Sequence, residues 1–508
     1  MALAAVCAVL FLTFLDNTIV SVALGDMQTN LRAGVTSLQW IVDGYMLAFT
    51  ALMLTGGTLG DLLGRKKVLL AGVAVFSAGS LVGALAGSIG MLIAGRVVMG
   101  VGAAACEPGT LSLIRQIYPD RHERAQALGV WTAVSGISLA LGPVLGGVLV
   151  AAGGWRDIFW FNLAFGVVIL VVAARVLPES ADPQGRRLDV PGLVTGALAI
   201  GAVTFAVIEG ESVGYGTWWV PLLFVVAAAA TALFVVLERR SLDPVLRLDF
   251  FRRPAFSGAT VVAFATSFGL FAVFFFTALY LQVVAGFSGW KIALQFVAMS
   301  VAMVAGGVAA GRIAATRGPR VPMSAGCLIA GGTMFAVDAL LDPNVSVAAL
   351  AFALAGVGFG LGLALVAVTA AVLSIVPAER SGMAASTVNT SREFGGVLAV
   401  ATLGAVVNAQ IVSDLTHRLV RLGVPEAFRS LVINAVTHGG LPANAAKAAA
   451  ANPLAAKFLA QLAPVIAAAK DAFGRGLHVA LVVAAVILLA GAVVGALTGS
   501  GVRRAELS

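Results

Sequence analysis

The chain has 508 residues, 60% of them hydrophobic and only 11% charged, with a mean hydropathy of +1.01 and a formal net charge of +8. Soluble domains carry about 25% charged residues, so this composition excludes a soluble globular protein and predicts a polytopic membrane protein. Three scattered cysteines, Cys7, Cys106 and Cys327, supply neither a disulfide framework nor a metal set.

Apolar runs long enough to cross a bilayer, about 20 residues each, fall at 3–25, 37–59, 68–88, 90–114, 124–152, 155–177, 190–209, 218–237, 255–284, 290–311, 321–341, 345–376, 383–412 and 477–499. The first is read as a span and not a signal peptide: it lacks a basic n-region and continues past Asp16 without a small-residue cleavage site. Fourteen spans put both termini on one face. With that face inside, the inner segments hold twenty Lys and Arg, and the short outer loops hold three, Arg32, Arg156 and Lys291. Basic residues are retained on the cytoplasmic side, so both termini are predicted to be cytoplasmic. Much of the basic surplus then faces the inner leaflet, with no nucleic acid required.

In the first span, Asp16 sits mid-run within Leu15-Asp16-Asn17-Thr18-Ile19-Val20. An acid at a helix centre costs about 2.5–3.5 kcal/mol on insertion scales. Removal from water favours the neutral form of a carboxyl group, so Asp16 reads as a proton or cation site; the alternative is a structural hydrogen bond. In the second span, Trp40 and Asp43 share a helix face, an arrangement suited to an organic cation or, alternatively, to a belt tryptophan beside water. The turn that follows, Gly57-Thr58-Leu59-Gly60-Asp61-Leu62-Leu63-Gly64-Arg65-Lys66-Lys67, is a tight inner-face connection. Its Gly57, Gly60 and Gly64 allow close approach of helix ends, and Asp61 can meet a neighbouring helix end or pair with Arg65.

The fourth span holds Arg96 and, eleven residues on, Glu107-Pro108. That spacing puts Arg96 and Glu107 on one face about 16 Å apart, too far to pair, leaving Asp16 or Asp43 as partners for the arginine. Pro108 is expected to kink the helix and free a carbonyl beside Glu107. In the fifth span Ser138, Gly142 and Gly146, with Pro143 between, form a small-residue stripe for close helix packing. Glu209 and Asp338 lie near outer ends and read as solvated. The glycine run at 356–360 lies inside an apolar span with no preceding strand, so it is not a dinucleotide loop, and no Walker A sequence encodes ATP drive. The thirteenth span opens with Asn389, Arg392, Glu393, Gly395 and Gly396; Asn389 and Glu393 share a face. Residues 413–476 read as a long outer loop with amphipathic helical stretches, either a cap over the exit or an inert spacer.

The chain also echoes itself. Gly307–Gly326, with Gly311-Arg312 and Arg317-Gly318-Pro319-Arg320, sits between two spans as Gly57–Gly72 does, and Glu123-Arg124-Ala125 opens the fifth span as Glu379-Arg380-Ser381 opens the thirteenth. The expected fold is all-α: a six-helix bundle over 1–178, two additional helices within 179–253, and a second six-helix bundle over 254–508.

Together these residues resemble the major facilitator superfamily, and within it the fourteen-helix drug:proton antiporter branch. Gly57–Lys67 resembles the superfamily's loop between helices two and three. Leu15–Val20, Arg96–Gly100 with Gly102 and Ala104, and Gly136–Gly147 resemble the branch's first-, fourth- and fifth-helix motifs, and Trp40–Tyr45 and Arg392–Gly396 resemble further branch patterns. The likeness covers the chain outside 413–476. It implies proton coupling and cation recognition by Asp16, Asp43 and Arg96, a cytoplasmic gate locked by Asp61 and Arg65, and a bias toward export from Gly142 and Pro143. Ser21, Gly25, Met99 and Glu393 depart from the usual Asn, Pro, Gln and Gln. The expectation is a monomeric secondary transporter, not an enzyme. It exports amphipathic, cationic small molecules in exchange for protons across the cell membrane among its lipids, with no cofactor but the proton gradient. Rival readings are a proton-linked importer or lipid flippase, a membrane enzyme, for which His122, His417, His438 and His478 form no cluster, and a non-transporting scaffold, which needs no buried acids.

Overall fold

The computed structural model describes the chain except residues 32–34, 181–188, 242, 286, 288, 342–345, 378–379, 422–428, 430–458 and 499–508. The described residues form helices and their connections: α1 Ala2–Ile19, α2 Leu24–Leu31, α3 Val35–Leu63, α4 Arg65–Ala84, α5 Ile89–Ile117, α6 Arg121–Gly153, α7 Arg156–Val176, α8 Val190–Val213, α9 Trp219–Arg240, α10 Pro254–Val283, α11 Gly289–Arg317, α12 Arg320–Leu340, α13 Val347–Ile375, α14 Ser381–Arg421 and α15 Leu459–Thr498. Thirteen are long and apolar enough to cross a membrane, and α6, whose Gln126–Leu139 and Val144–Gly153 halves meet at 45°, makes fourteen. The spans expected from hydropathy all appear, because a backbone in hydrocarbon must satisfy its polar groups within its own helix.

Local chemistry sets several helix ends. The Ser88 hydroxyl accepts the Met91 N–H at 3.4 Å to cap α5, and the Asp189 carboxylate accepts the Gly192 N–H at 2.9 Å to cap α8. Gly64 separates α3 from α4 with φ +112°, and Gly318 separates α11 from α12 with φ +78°. Both lie in the left-handed region that favours glycine, so the echo between these two turns has a common backbone cause.

Helices α1 and α3–α7 pack as one group, and α10–α15 as another. The groups meet along α6 against α11 and along α3 and α5 against α14; α8 lies against both α3 and α14, with α9 on its far side. One continuous apolar core runs through both groups. The first span differs from expectation. It is α-helical only to Ile19, then tightens into a 3-10 turn, Val20–Ala23, before α2.

The 413–476 segment needs correction. Its ends are not loop: α14 continues to Arg421 and α15 begins at Leu459. At 1.5 Å per residue, each of these helices of about 40 residues is about 60 Å long, twice the hydrocarbon thickness. Their projecting ends are joined by Arg418 to Asp471 at 2.8 Å and Arg475 to Asp414 at 2.5 Å. The middle of the expected cap lies outside the described residues.

Candidate functional site

Four polar clusters lie in or beside the interior. In the first, Asp16 on α1 pairs with Arg96 on α5, both essentially inaccessible. The Asn162 amide donates to the other Asp16 oxygen at 2.8 Å, and Arg96 Nε donates to the Ile41 carbonyl at 2.9 Å. The guanidinium also lies 4.4 Å from the centre of the Tyr45 ring, within cation–π range. Of the two partners left open for Arg96, the structure selects Asp16. Four helices, α1, α3, α5 and α7, thus converge on one neutral pair. Asn162 was missed, although a lone amide inside the apolar α7 is itself the signal for a buried polar contact.

The second cluster crosses between the two groups. Glu107 on α5 has Arg392 and Glu393 on α14 as its charged neighbours, and all three are buried. Arg392 lies 5.2 Å from the Trp131 ring centre on α6 and donates to Asn389 Oδ1 at 3.4 Å. Trp131 Nε1 in turn donates to Thr110 Oγ1 at 3.0 Å. Arg96 and Glu107, expected along one face, therefore serve different clusters, since α5 is surrounded and its neighbours differ along its length. Helix α5 runs through Pro108 unbroken. Proline has no N–H for the Ala104 carbonyl, and α3 crosses there: a Cβ on Gly56 would stand 2.0 Å from that oxygen.

The third cluster sits at the arginine-rich end. Asp61, at the C-terminus of α3, accepts from the Gly382 and Met383 N–H groups at 3.0 and 2.9 Å, at the start of α14. It also accepts from Arg65 Nε at 3.1 Å and Nη2 at 2.8 Å. Both expected roles of Asp61 are thus met at once. A carboxylate at a helix N-terminus is favoured by free N–H groups and the helix dipole. Arg65 N donates to the Ser180 carbonyl at 2.8 Å. Arg115 Nη2 on α5 ties the same end to the Val376 carbonyl at 2.9 Å. Gly57 is required here, since its Cβ would stand 2.4 Å from Ser386 Cβ, and Gly64 is fixed by its turn. Gly60 meets nothing within 4 Å, so it has no part in the close approach.

In the fourth cluster, Trp40 and Asp43 on α3 face Glu209 on α8. The Trp40 side chain hydrogen-bonds Glu209, and Asp43 is its charged neighbour. Trp40 stacks toward Phe205 at 5.7 Å, and Phe205 toward Trp219 at 6.2 Å. The expectation that Glu209 is solvated is wrong: it is buried because α8 turns it onto α3. Asp338 is likewise not free in water; its nearly buried carboxylate pairs with His478 Nδ1 at 2.5 Å.

The α6 stripe packs on α1. A Cβ on Gly142 would stand 1.9 Å from Thr18 Oγ1, and one on Gly146 2.7 Å from the Ile19 carbonyl. Pro143 has no N–H to offer the Leu139 carbonyl, and the Thr18 hydroxyl donates to that oxygen at 3.1 Å. The bend in α6 is thereby keyed to α1, two residues from Asp16. Among the described residues no group of three or more His, Cys, Asp or Glu could hold a metal ion.

Two helical groups with buried charges between and within them define a membrane transporter. The Major Facilitator Superfamily model matches residues 6–400. The chain belongs to that superfamily and is a multi-pass secondary transporter. It is 34% identical over 487 residues to the multidrug resistance protein Stp of Mycobacterium tuberculosis (strain H37Rv), covering 95% of this chain and 89% of that one. It is 33% identical over 403 residues to the methylenomycin A resistance protein of Streptomyces coelicolor, covering 79% and 84%. It is 29% identical over 511 residues to the tetracenomycin C resistance and export protein of Streptomyces glaucescens, covering 99% and 91%. Among solved structures, a bacterial homologue of the human lysosomal transporter Spinster, inward-facing and unoccupied, shares the fold. Its TM-score is 0.59 at 18% identity, covering 99% of this chain and 97% of that one.

Proposed function

We propose that this chain exports amphipathic small molecules, chiefly cationic ones, from the cell in exchange for protons. It works as a monomer in the cell membrane, with both termini cytoplasmic and the proton gradient as its energy source. The relatives named for drug resistance and export support the direction. The observation that carries the mechanism is the Asp61 contact: one carboxylate of the first helical group holds the start of α14 in the second. Such a latch is made of exchangeable hydrogen bonds, so the groups can part there and rock about the centre. Asp16 is the coupling residue in this reading. A proton on Asp16 cancels its pairing with Arg96, leaving the guanidinium to the Ile41 carbonyl and the Tyr45 face, and loosens α1 from α5 and α7.

Expression in a drug-susceptible bacterium tests the function. Cells carrying the chain should accumulate less ethidium and tetraphenylphosphonium than control cells, and a protonophore should abolish the difference. Higher accumulation in energised cells would instead make the protein an importer.

A further inference from the structure

The Asp16–Arg96 pair is neutral, and both Asp16 oxygens are engaged. The inter-group cluster is neither. Glu107, Arg392, Glu393 and Asn389 are between 1% and 5% exposed. Even so, Glu107 Oε2, Glu393 Oε2, Arg392 Nε and Asn389 Nδ2 have no hydrogen-bond partner. Four unpartnered polar atoms from four neighbouring side chains are costly in a low-dielectric interior. The charges do not balance either: two carboxylates face one guanidinium, so the ionised cluster carries one surplus negative charge. Such a charge between transmembrane helices calls for a counter-charge. Among the described residues, Cys106 on α5 and Tyr45 on α3 also neighbour Glu107, and neither supplies a positive charge.

We infer that Glu107 and Glu393, with Arg392 as their shared charged neighbour, form an exchange site that holds either one proton or one monovalent organic cation, never both. The site lies where α5 and α6 of one group meet α14 of the other, so its occupant bridges the two bodies that must move. Trp131 already presents its ring face to a cation, Arg392, so the wall is suited to an organic cation. Loading is balanced: a cation enters, a carboxyl group becomes a carboxylate, and one proton leaves. This assignment rests on the export reading and places the exchange of cation for proton at this cluster, while Asp16 couples that exchange to the movement of α1 against α5 and α7.

The test uses purified full-length protein in weakly buffered detergent solution, with tetraphenylphosphonium as the cation and a pH indicator dye. Wild-type protein should release about one proton for each cation bound. Either E107Q or E393Q alone removes the surplus charge. Each should abolish proton release and weaken binding about tenfold or more, while Gly60→Ala, at a position with nothing within 4 Å, should still release the proton on binding. Two independent glutamine variants, each checked for an unchanged melting temperature, guard against a folding defect. Undiminished release in both folded variants would overturn the inference, as would an equal loss of release in Gly60→Ala. If cells still expel neutral chloramphenicol while the purified protein releases no proton on binding the cation, this site is refuted and export stands. If cells expel neither compound, the export reading itself fails.

Discussion

At the scale of single residues, the cost of burying charge sorts the acids. Removing one partner of a buried ion pair costs about 3–5 kcal/mol, because the other is left uncompensated. Arg96→Ala strands the Asp16 carboxylate and should lower the melting temperature in detergent markedly. Asp16→Asn keeps the side-chain shape and one oxygen acceptor, so it should fold with a smaller loss. It should nevertheless lose uphill export driven by a pH gradient while keeping downhill efflux; undiminished uphill export would remove Asp16 from the coupling step. Much of this cluster was legible in the sequence, since a mid-span Asp and a buried Arg both demand partners. The partner's identity was not, because helix periodicity fixes a residue's face but not its neighbour. Glu209 was misread for that reason: its place near a helix end said water, and only the packing of α8 on α3 buries it.

At the scale of elements, the α3–α14 latch and the α1–α6 contact are where backbone approach matters. Asp61→Asn gives up the charge in its bonds to two helix N–H groups and to Arg65, about 2 kcal/mol, or roughly thirtyfold in the latched-to-open ratio. Turnover should fall more than substrate affinity, which transport rates set beside equilibrium binding of labelled substrate would measure. Gly57 and Gly60 make a matched pair on one turn of sequence. Gly57→Ala places a methyl 2.4 Å from Ser386 and should impair transport severalfold, whereas Gly60→Ala, with open space around it, should not. The same contrast holds between Gly142→Ala and Gly147→Ala on α6; equal efflux rates within either pair would contradict the packing account. The glycine frame was readable as a motif. Which glycine bears the contact was not, since α14 lies more than 300 residues away in sequence.

At the scale of the whole molecule, the hydropathy runs yielded the fourteen spans because hydrocarbon permits little besides helices. They could not give the length of α14 and α15, which leave the membrane and continue as helices joined by ion pairs. Nor could they place α8 across the seam between α3 and α14. The central claim is that movement of substrate one way obliges movement of protons the other way. Proton flux across liposomes containing the purified protein, read with a trapped pH dye, measures this directly. An outward gradient of tetraphenylphosphonium should drive protons inward, the flux should rise with substrate concentration, and Asp16→Asn should abolish it. Substrate movement in wild-type protein with no accompanying proton flux would contradict the account.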